Sequence, residues 1–202
     1  MLLPVNPDHP EPRKVRRAVD ALERGEVIAY PTDTVYAIGC DLFSKKAIDR
    51  IYQLKQLPKA HKLTFICPDL GDIARYAIVD NAQYRLLRRV LPGPYTFVLE
   101  ATREVPKIVQ SKRKTVGIRV PDSAVVQAIV RELGRPVITS SAVLPGEEPF
   151  IDPGEIDDRF RGLAMVLDSG AGGLEATTVV DLTSGEIEIV REGAGSVTDL
   201  YC

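Results

Sequence analysis

The sequence predicts an α/β fold with a sheet of mixed direction, and three observations carry that expectation. Amphipathic helical segments alternate with short apolar runs along most of the chain, and strands then follow one another near its end. The 202 residues suffice for a full hydrophobic core without disulfide or metal staples. No internal repeat, linker or low-complexity tract divides them, so a single domain over residues 1–202 is expected.

After a proline-rich lead, residues 12–24 place Val15, Ala18, Val19 and Leu22 at helical spacing, and Gly25 stops that helix. Residues 27–30 read as a short buried strand ended by Pro31. Ser44 caps a helix running to Leu54, whose apolar face is Ala47, Ile48, Ile51 and Leu54. Residues 63–67 are the next strand, and Pro68-Asp69 leads to a helical segment near residues 72–76. Residues 81–90 form a further helix, closed by the turn Leu91-Pro92-Gly93-Pro94. Residues 95–101, 115–120 and 136–140 read as strands, with a helix over 123–133, stopped by Gly134, between the last two. Residues 163–167, a glycine-rich run over 169–173, and strands over 177–182 and 186–190 around the turn Thr183-Ser184-Gly185 complete the series. Residues 144–154 are expected to be a mobile loop.

Composition excludes several function classes. With 26 Lys and Arg against 28 Asp and Glu, the net charge of −2 makes no global electrostatic case for nucleic acid, and only a local basic patch would supply one. Cys40, Cys67 and Cys202 are odd in number, far apart and without a CxxC pair, which argues against a disulfide framework or a zinc site. Only two histidines, His9 and His61, are available for metal chemistry. The N-terminus lacks the pattern of a secretory signal, and no apolar stretch approaches the roughly 20 residues needed to span a bilayer. A cytoplasmic location without membrane attachment is expected.

Candidate chemistry gathers at strand ends. Tyr30-Pro31-Thr32-Asp33-Thr34 sets two hydroxyls and a carboxylate behind a rigid turn, which reads either as a polar-ligand seat or as a hydrogen-bonded turn. Lys55 arrives near a helix C-terminus ahead of the basic loop Lys59-Ala60-His61-Lys62, suited to phosphate or simply to the helix dipole. Lys112, Arg113 and Lys114 form a local basic patch able to touch RNA phosphate. Arg119 interrupts the apolar run Ile118-Arg119-Val120, so strand alternation turns it to the opposite face from its neighbours. On the floor of a groove it is a carboxylate or phosphate clamp, and on a wet face it is unremarkable. Hydroxyls at Thr139-Ser140-Ser141 and Thr177-Thr178, and Arg191 after the final strand, extend the same pattern. The glycines over 170–173 read as an anion nest or as a plain loop. Neither a P-loop nor a Rossmann glycine motif is present, and no Ser/His/Asp triad can be assembled.

In this order the segments resemble the YrdC/YciO family, whose founding enzymes are threonylcarbamoyl-adenylate synthases. The resemblance runs from about Ala18 to Gly193 on PTDTVYAIG (31–39), PGPYTFVL (92–99), GIRVP (117–121), TTVVDL (177–182) and VREG (190–193). It implies a twisted, mostly antiparallel sheet flanked by helices around a large basic groove that takes ATP with Mg2+, L-threonine and bicarbonate. A carbamate formed from threonine and bicarbonate would attack the α-phosphorus of ATP, releasing pyrophosphate and leaving the donor for modifying tRNA adenosine. No tightly bound protein metal is implied, since Mg2+ is carried by ATP. Carried over by position, Thr32 and Arg119 would bind threonine, Lys55, Ser140, Thr178 and Arg191 the nucleotide, and Thr96 the groove floor. Three departures stand out: the synthases' KxR motif reads Lys55-Gln56-Leu57, their SxN reads Ser140-Ser141-Ala142, and a strand histidine appears as Ile66. These point to the YciO branch, with weak or redirected synthase activity. Removal of threonylcarbamoyl from tRNA, a non-catalytic module for tRNA or double-stranded RNA, and a nucleotide sensor remain the alternatives.

Overall fold

In the computed structural model, residues 1–58, 61–107, 109 and 113–201 are described. The helical periodicities become six α-helices among these residues: α1 (Pro12–Glu23), α2 (Lys45–Leu54), α3 (Leu70–Tyr76), α4 (Asn81–Val90), α5 (Ala124–Leu133) and α6 (Pro153–Arg159). The strands are β1 (Leu2–Pro4), β2 (Ile28–Tyr30), β3 (Ala37–Asp41), β4 (Thr64–Ile66), β5 (Ala77–Ile78), β6 (Tyr95–Ala101), β7 (Thr115–Arg119), β8 (Val137–Ser141), β9 (Met165–Asp168), β10 (Thr178–Asp181) and β11 (Glu188–Arg191). Caps define several helix starts. The side chains of Ser44, Asp69, Asp80, Ser123 and Asp152 each accept a first-turn amide, and Gly134 closes α5 in the left-handed region at φ 69°.

All eleven strands belong to one sheet ordered β1-β9-β2-β3-β8-β4-β7-β6-β10-β11, with β5 added beside β6. The direction is mixed and mostly antiparallel, with parallel pairing confined to β1–β9, β2–β9, β4–β7 and β6–β10. Alternation then sorts the side chains. Ile38, Phe65, Phe97, Ile118, Ile138 and Val180 point to the face covered by α2, α3, α4 and α6, where the larger core lies. Ile28, Tyr30, Ile66, Val137 and Leu167 point the other way, beneath α1 and α5. That second helix layer covers only part of its face. Beyond Ile66 and Val137, the positions of the same parity are Thr64, Thr96 and Thr139, short polar side chains, and Gly117, with no helix over them. The uncovered half-face is the groove.

Several segments differ from the sequence expectation. β3 was hidden inside the hydroxyl-rich motif because all five of its residues are buried, so no polar–apolar alternation marks it. Residues 144–154 are not a featureless loop: Phe150 is buried edge-to-face on Phe160 at 5.7 Å, and Asp152-Pro153 starts α6. β1 is three residues long and pairs only with β9, too short for periodicity to register. Gly39, which ends the hydroxyl motif, has a direct packing reason. A Cβ there would meet the Tyr30 hydroxyl at 2.6 Å and the Val137 side chain at 2.7 Å.

Leu22 is fully buried between α1 and α5 with Val126, Ile129 and Leu133. Leu22→Ala is expected to lower unfolding free energy by about 2–5 kcal/mol in equilibrium denaturation. Arg13→Ala, on the exposed side of the same helix, is expected to change it by no more than about 0.5 kcal/mol.

Candidate active site

The groove encloses about 530 Å³ and is lined from the turn before β3 and its first residue, the loop after α2, β4, β6, β7, β8 and β10, and the end of β11. Among the described residues its cationic side chains are Lys62, Arg119 and Arg191, with His61 beside them, against the single carboxylate Asp181. Asp181 is itself committed, accepting from the Thr183 amide at 2.8 Å and hydroxyl at 2.6 Å. The electrostatic bias therefore favours an anionic ligand.

Arg119 lies in the groove wall as alternation required, yet it is only 6% exposed. Its Nη2 donates to the Asp33 carboxylate, to the Thr34 hydroxyl at 2.8 Å and to the Thr32 hydroxyl at 3.3 Å. Thr32 does not line the groove. Its hydroxyl donates to the Val35 carbonyl at 2.7 Å and accepts the Thr34 amide at 3.1 Å, so it buttresses Arg119 from behind, and Thr34 is the threonine that faces the cavity.

Lys55 also departs from the picture of a solvated lysine at a helix end. It caps the C-terminus of α2, is 4% exposed, and donates from Nζ to the Ser141 carbonyl at 2.5 Å. It stands behind Ser141, which lines the groove, rather than in the lining itself. Burial without a carboxylate partner pulls its ammonium down from 10.5 to about 8. Burial, aided by the nearby Lys55 charge, likewise lowers His61.

The hydroxyl expected at Thr178 is turned away. Thr178 is fully buried, donates to the Gly195 carbonyl at 2.6 Å and accepts the Gly193 amide at 2.9 Å, tying the chain end to β10. Its neighbour Thr177 is the groove residue, bonded to the Thr96 hydroxyl at 3.0 Å. The reason is strand parity: positions 177, 179 and 181 share the open face, while 178 and 180 face the core. Arg191 and Ser140 do line the cavity, and Arg191 is oriented by the Thr177 carbonyl at 2.8 Å. Arg113 and Lys114 are exposed ahead of β7 and outside the groove lining, and Lys112 lies outside the described residues.

The glycine-rich run is not an anion nest. The Ser169 amide donates to the Tyr36 hydroxyl, Gly170 to Asp168, Gly172 to Ile151 and Gly173 to Thr34. The run lies flat on the hydroxyl motif, and a Cβ at Gly173 would meet the Thr34 carbonyl at 2.3 Å. The groove residues that sequence reasoning left unassigned are Thr34, Thr64, Thr139, Ser141, Thr177 and Asp181. Strand parity counted outward from Arg119 is the signal that finds several of them.

A helix-flanked sheet thus leaves a cationic, hydroxyl-lined half-face open, an arrangement suited to an anionic ligand on a sheet surface. Residues 20–193 match the Sua5–YciO–YrdC family (telomere recombination), and the chain belongs to that family. It is 43% identical to YciO of Escherichia coli K12 over 196 residues, covering 96% of this chain and 95% of that one. It is 33% identical to the threonylcarbamoyl-AMP synthase of Serratia proteamaculans over 180 residues, covering 87% and 94%. Among solved structures, E. coli YciO superposes with a TM-score of 0.95 at 40% identity over 99% and 98% of the two chains. Sua5 of P. abyssi complexed with L-threonine superposes at 0.92 and 25% identity over 99% of this chain and 59% of that one. The protein is thus related to threonylcarbamoyl-AMP synthases, and no helix among its described residues is long and apolar enough to cross a membrane.

The Lys55 ammonium costs the fold stability at every pH below about 8, where the folded and unfolded chains are both ionised. The cost fades between about 8 and 10.5, as the folded lysine becomes neutral before the unfolded one. Lys55→Met is therefore expected to be more stable than the parent by about 1–3 kcal/mol at pH 7. The gap should close by pH 10.5, as denaturation midpoints across that range will show.

Proposed function

We propose that this groove binds ATP and L-threonine and handles threonylcarbamoyl-adenylate chemistry in tRNA modification, with a synthase turnover well below that of the family's synthases. The observation that carries the reading is the pairing of two separated cationic ends on one bare half-face. Arg119, backed by Asp33, Thr32 and Thr34, sits on β7, and Arg191 sits on β11, three strand spacings or roughly 14 Å away. That span suits a small amino acid at the first and a triphosphate or its adenylate toward the second. Thr96 and Thr177 supply hydroxyls between them, while Thr139, Ser140 and Ser141 lie on β8 on the other side of Arg119, with Lys55 behind Ser141 as a reserve cation there. Magnesium would arrive on the ATP phosphates. Bicarbonate and the threonine amine would yield the carbamate whose oxygen attacks the α-phosphorus, with pyrophosphate as leaving group. Such a reaction depends on positioning and on cationic stabilisation of the phosphoryl charge.

The reduced turnover is read from three substitutions. Leu57 stands where the synthases place an arginine, and it brings no charge to the groove. Ala142 stands where they place an asparagine, and it is buried with its amide donating to the Tyr36 carbonyl at 2.7 Å. Ile66 replaces a histidine and packs into the apolar cluster beneath α1 and α5. Losing one charge-assisted hydrogen bond to phosphate costs about 1.5–3 kcal/mol, or roughly tenfold to a hundredfold in rate. His61 and Lys62, which line the same groove, offset part of that loss in this reading.

The test supplies the protein with ATP, magnesium, L-threonine and bicarbonate and follows pyrophosphate and threonylcarbamoyl-adenylate, beside a family synthase and a Lys55→Ala variant. Binding of both ligands with turnover at least tenfold below the control is expected, and its loss in the variant. Absence of both nucleotide and threonine binding overturns the proposal. Binding without product rejects synthesis as the main role and directs the search to threonylcarbamoyl-modified tRNA as substrate.

A protein with a depressed lysine beside its ligand should take up a proton when an anion binds. ATP affinity is accordingly expected to fall as pH rises through about 8, since a neutral Lys55 no longer adds its positive charge behind the groove wall at Ser141. Isothermal titration in two buffers of different ionisation enthalpy at pH 8 checks the proton uptake, and Lys55→Met should abolish it.

A further inference from the structure

A guanidinium as buried as Arg119 has lost most of its hydration, and burial works against its ionised form. Its ion-pair partner among the described residues is Asp33, and both side chains are nearly enclosed, at 7% and 11% exposure. Asp33 is itself held from two sides. One carboxylate oxygen takes the Nη2 proton of Arg119, and the other takes the Asp122 amide at 3.1 Å. Asp33 does not line the groove, whereas Arg119 does. The Arg119 Nε is buried without an acceptor, so the side chain is not saturated by the fold. Its orientation is set from behind by the Asp33 carboxylate and the Thr32 hydroxyl, and at the groove edge by the Thr34 hydroxyl.

We propose that Asp33 is a positioning residue for carboxylate capture: it locks Arg119 in one orientation, so that a ligand carboxylate in the groove meets a prearranged cation. The proposal rests on the reading of the groove given above, and it adds a role for a side chain that never touches the ligand. Two long, flexible partners would lose rotamer freedom on binding. Here that ordering is completed within the fold, before the ligand arrives, and preorganisation of this kind raises affinity without new contacts. The short Asp33 side chain and its backbone anchor at Asp122 leave Arg119 little room to swing.

The experiment titrates L-threonine, L-threoninamide and ATP separately into the full chain and its Asp33→Asn and Asp33→Glu variants by calorimetry. Asp33→Asn is expected to weaken L-threonine binding roughly tenfold to a hundredfold while leaving ATP affinity within about threefold. Asp33→Glu, which restores the charge, should recover most of the loss. L-Threoninamide, lacking the carboxylate, should bind the parent and Asp33→Asn alike. ATP affinity doubles as the check that the variant is folded. Asp122→Pro removes the amide that orients Asp33, along with the Asp122 carboxylate, and keeps the Arg119 and Asp33 charges. Compared with Asp122→Asn, which keeps the amide, it provides a second reading, with a fall of about threefold to tenfold expected. Unchanged threonine affinity in Asp33→Asn, or equal losses for threonine, threoninamide and ATP, overturns the proposal alone. Absence of threonine binding by the parent protein overturns the reading of the groove and this proposal with it.

Discussion

The ion pair between Arg119 and Asp33 is the constraint around which the site is arranged. It joins β7 to the turn after β2, two segments separated in the sheet by β3, β8 and β4. Burying two charges is favourable only when geometry and further hydrogen bonds satisfy them. The turn supplies those bonds with Thr32, Asp33 and Thr34, and the start of the loop after β7 supplies the Asp122 amide. The same turn is held from outside by the glycine run, whose Gly173 amide bonds the Thr34 carbonyl. Proline, two threonines, an aspartate and the distant glycines therefore form one mechanical unit behind a single cation.

The groove exists because one layer of helices is incomplete. α1 and α5 bury Ile28, Tyr30, Ile66 and Val137, and the sheet continues past their edge with Thr and Gly at the same parity. Large apolar side chains there would have required a helix to cover them or left an apolar patch in water. Short hydroxyl side chains and Gly117 avoid both, and leave depth for a ligand against a floor hydrogen-bonded across Thr96–Thr177. The opposite face is packed under α2, α3, α4 and α6, where the larger core lies. Membership in the Sua5–YciO–YrdC family accords with this division, since relatives of very different total length share the sheet and its covering helices.

Much of the fold was legible in the residues. The long amphipathic segments read as α1, α2, α4 and α5 within a residue or two, because their apolar stripes and caps repeat over several turns. Short or doubly buried elements were not. β3 offers no alternation, β1 too few residues, and α6 announces itself only by Asp152-Pro153 and Glu155, a start signal passed over among loop residues. Site residues divided in the same way. Arg119 was readable because a charge inside an apolar strand has one face to occupy. Thr178 was misdirected because a doublet of identical residues carries no mark of which hydroxyl faces the cavity, and the parity of β10 selects Thr177.

By itself the sequence determined the helix-flanked mixed sheet, the clustering of hydroxyls and cations at strand ends, and the family to which the motifs belong. These follow from local periodicity and from residue patterns a few positions long. Tertiary structure alone decided which of those groups meet. It withdrew Thr32 behind Arg119, buried Lys55 against Ser141, left Arg113 and Lys114 outside the groove, and brought His61 and Lys62 into it. The physical reason is that strand order and helix coverage are set by how two apolar faces bury against each other, and no short stretch of sequence contains that information.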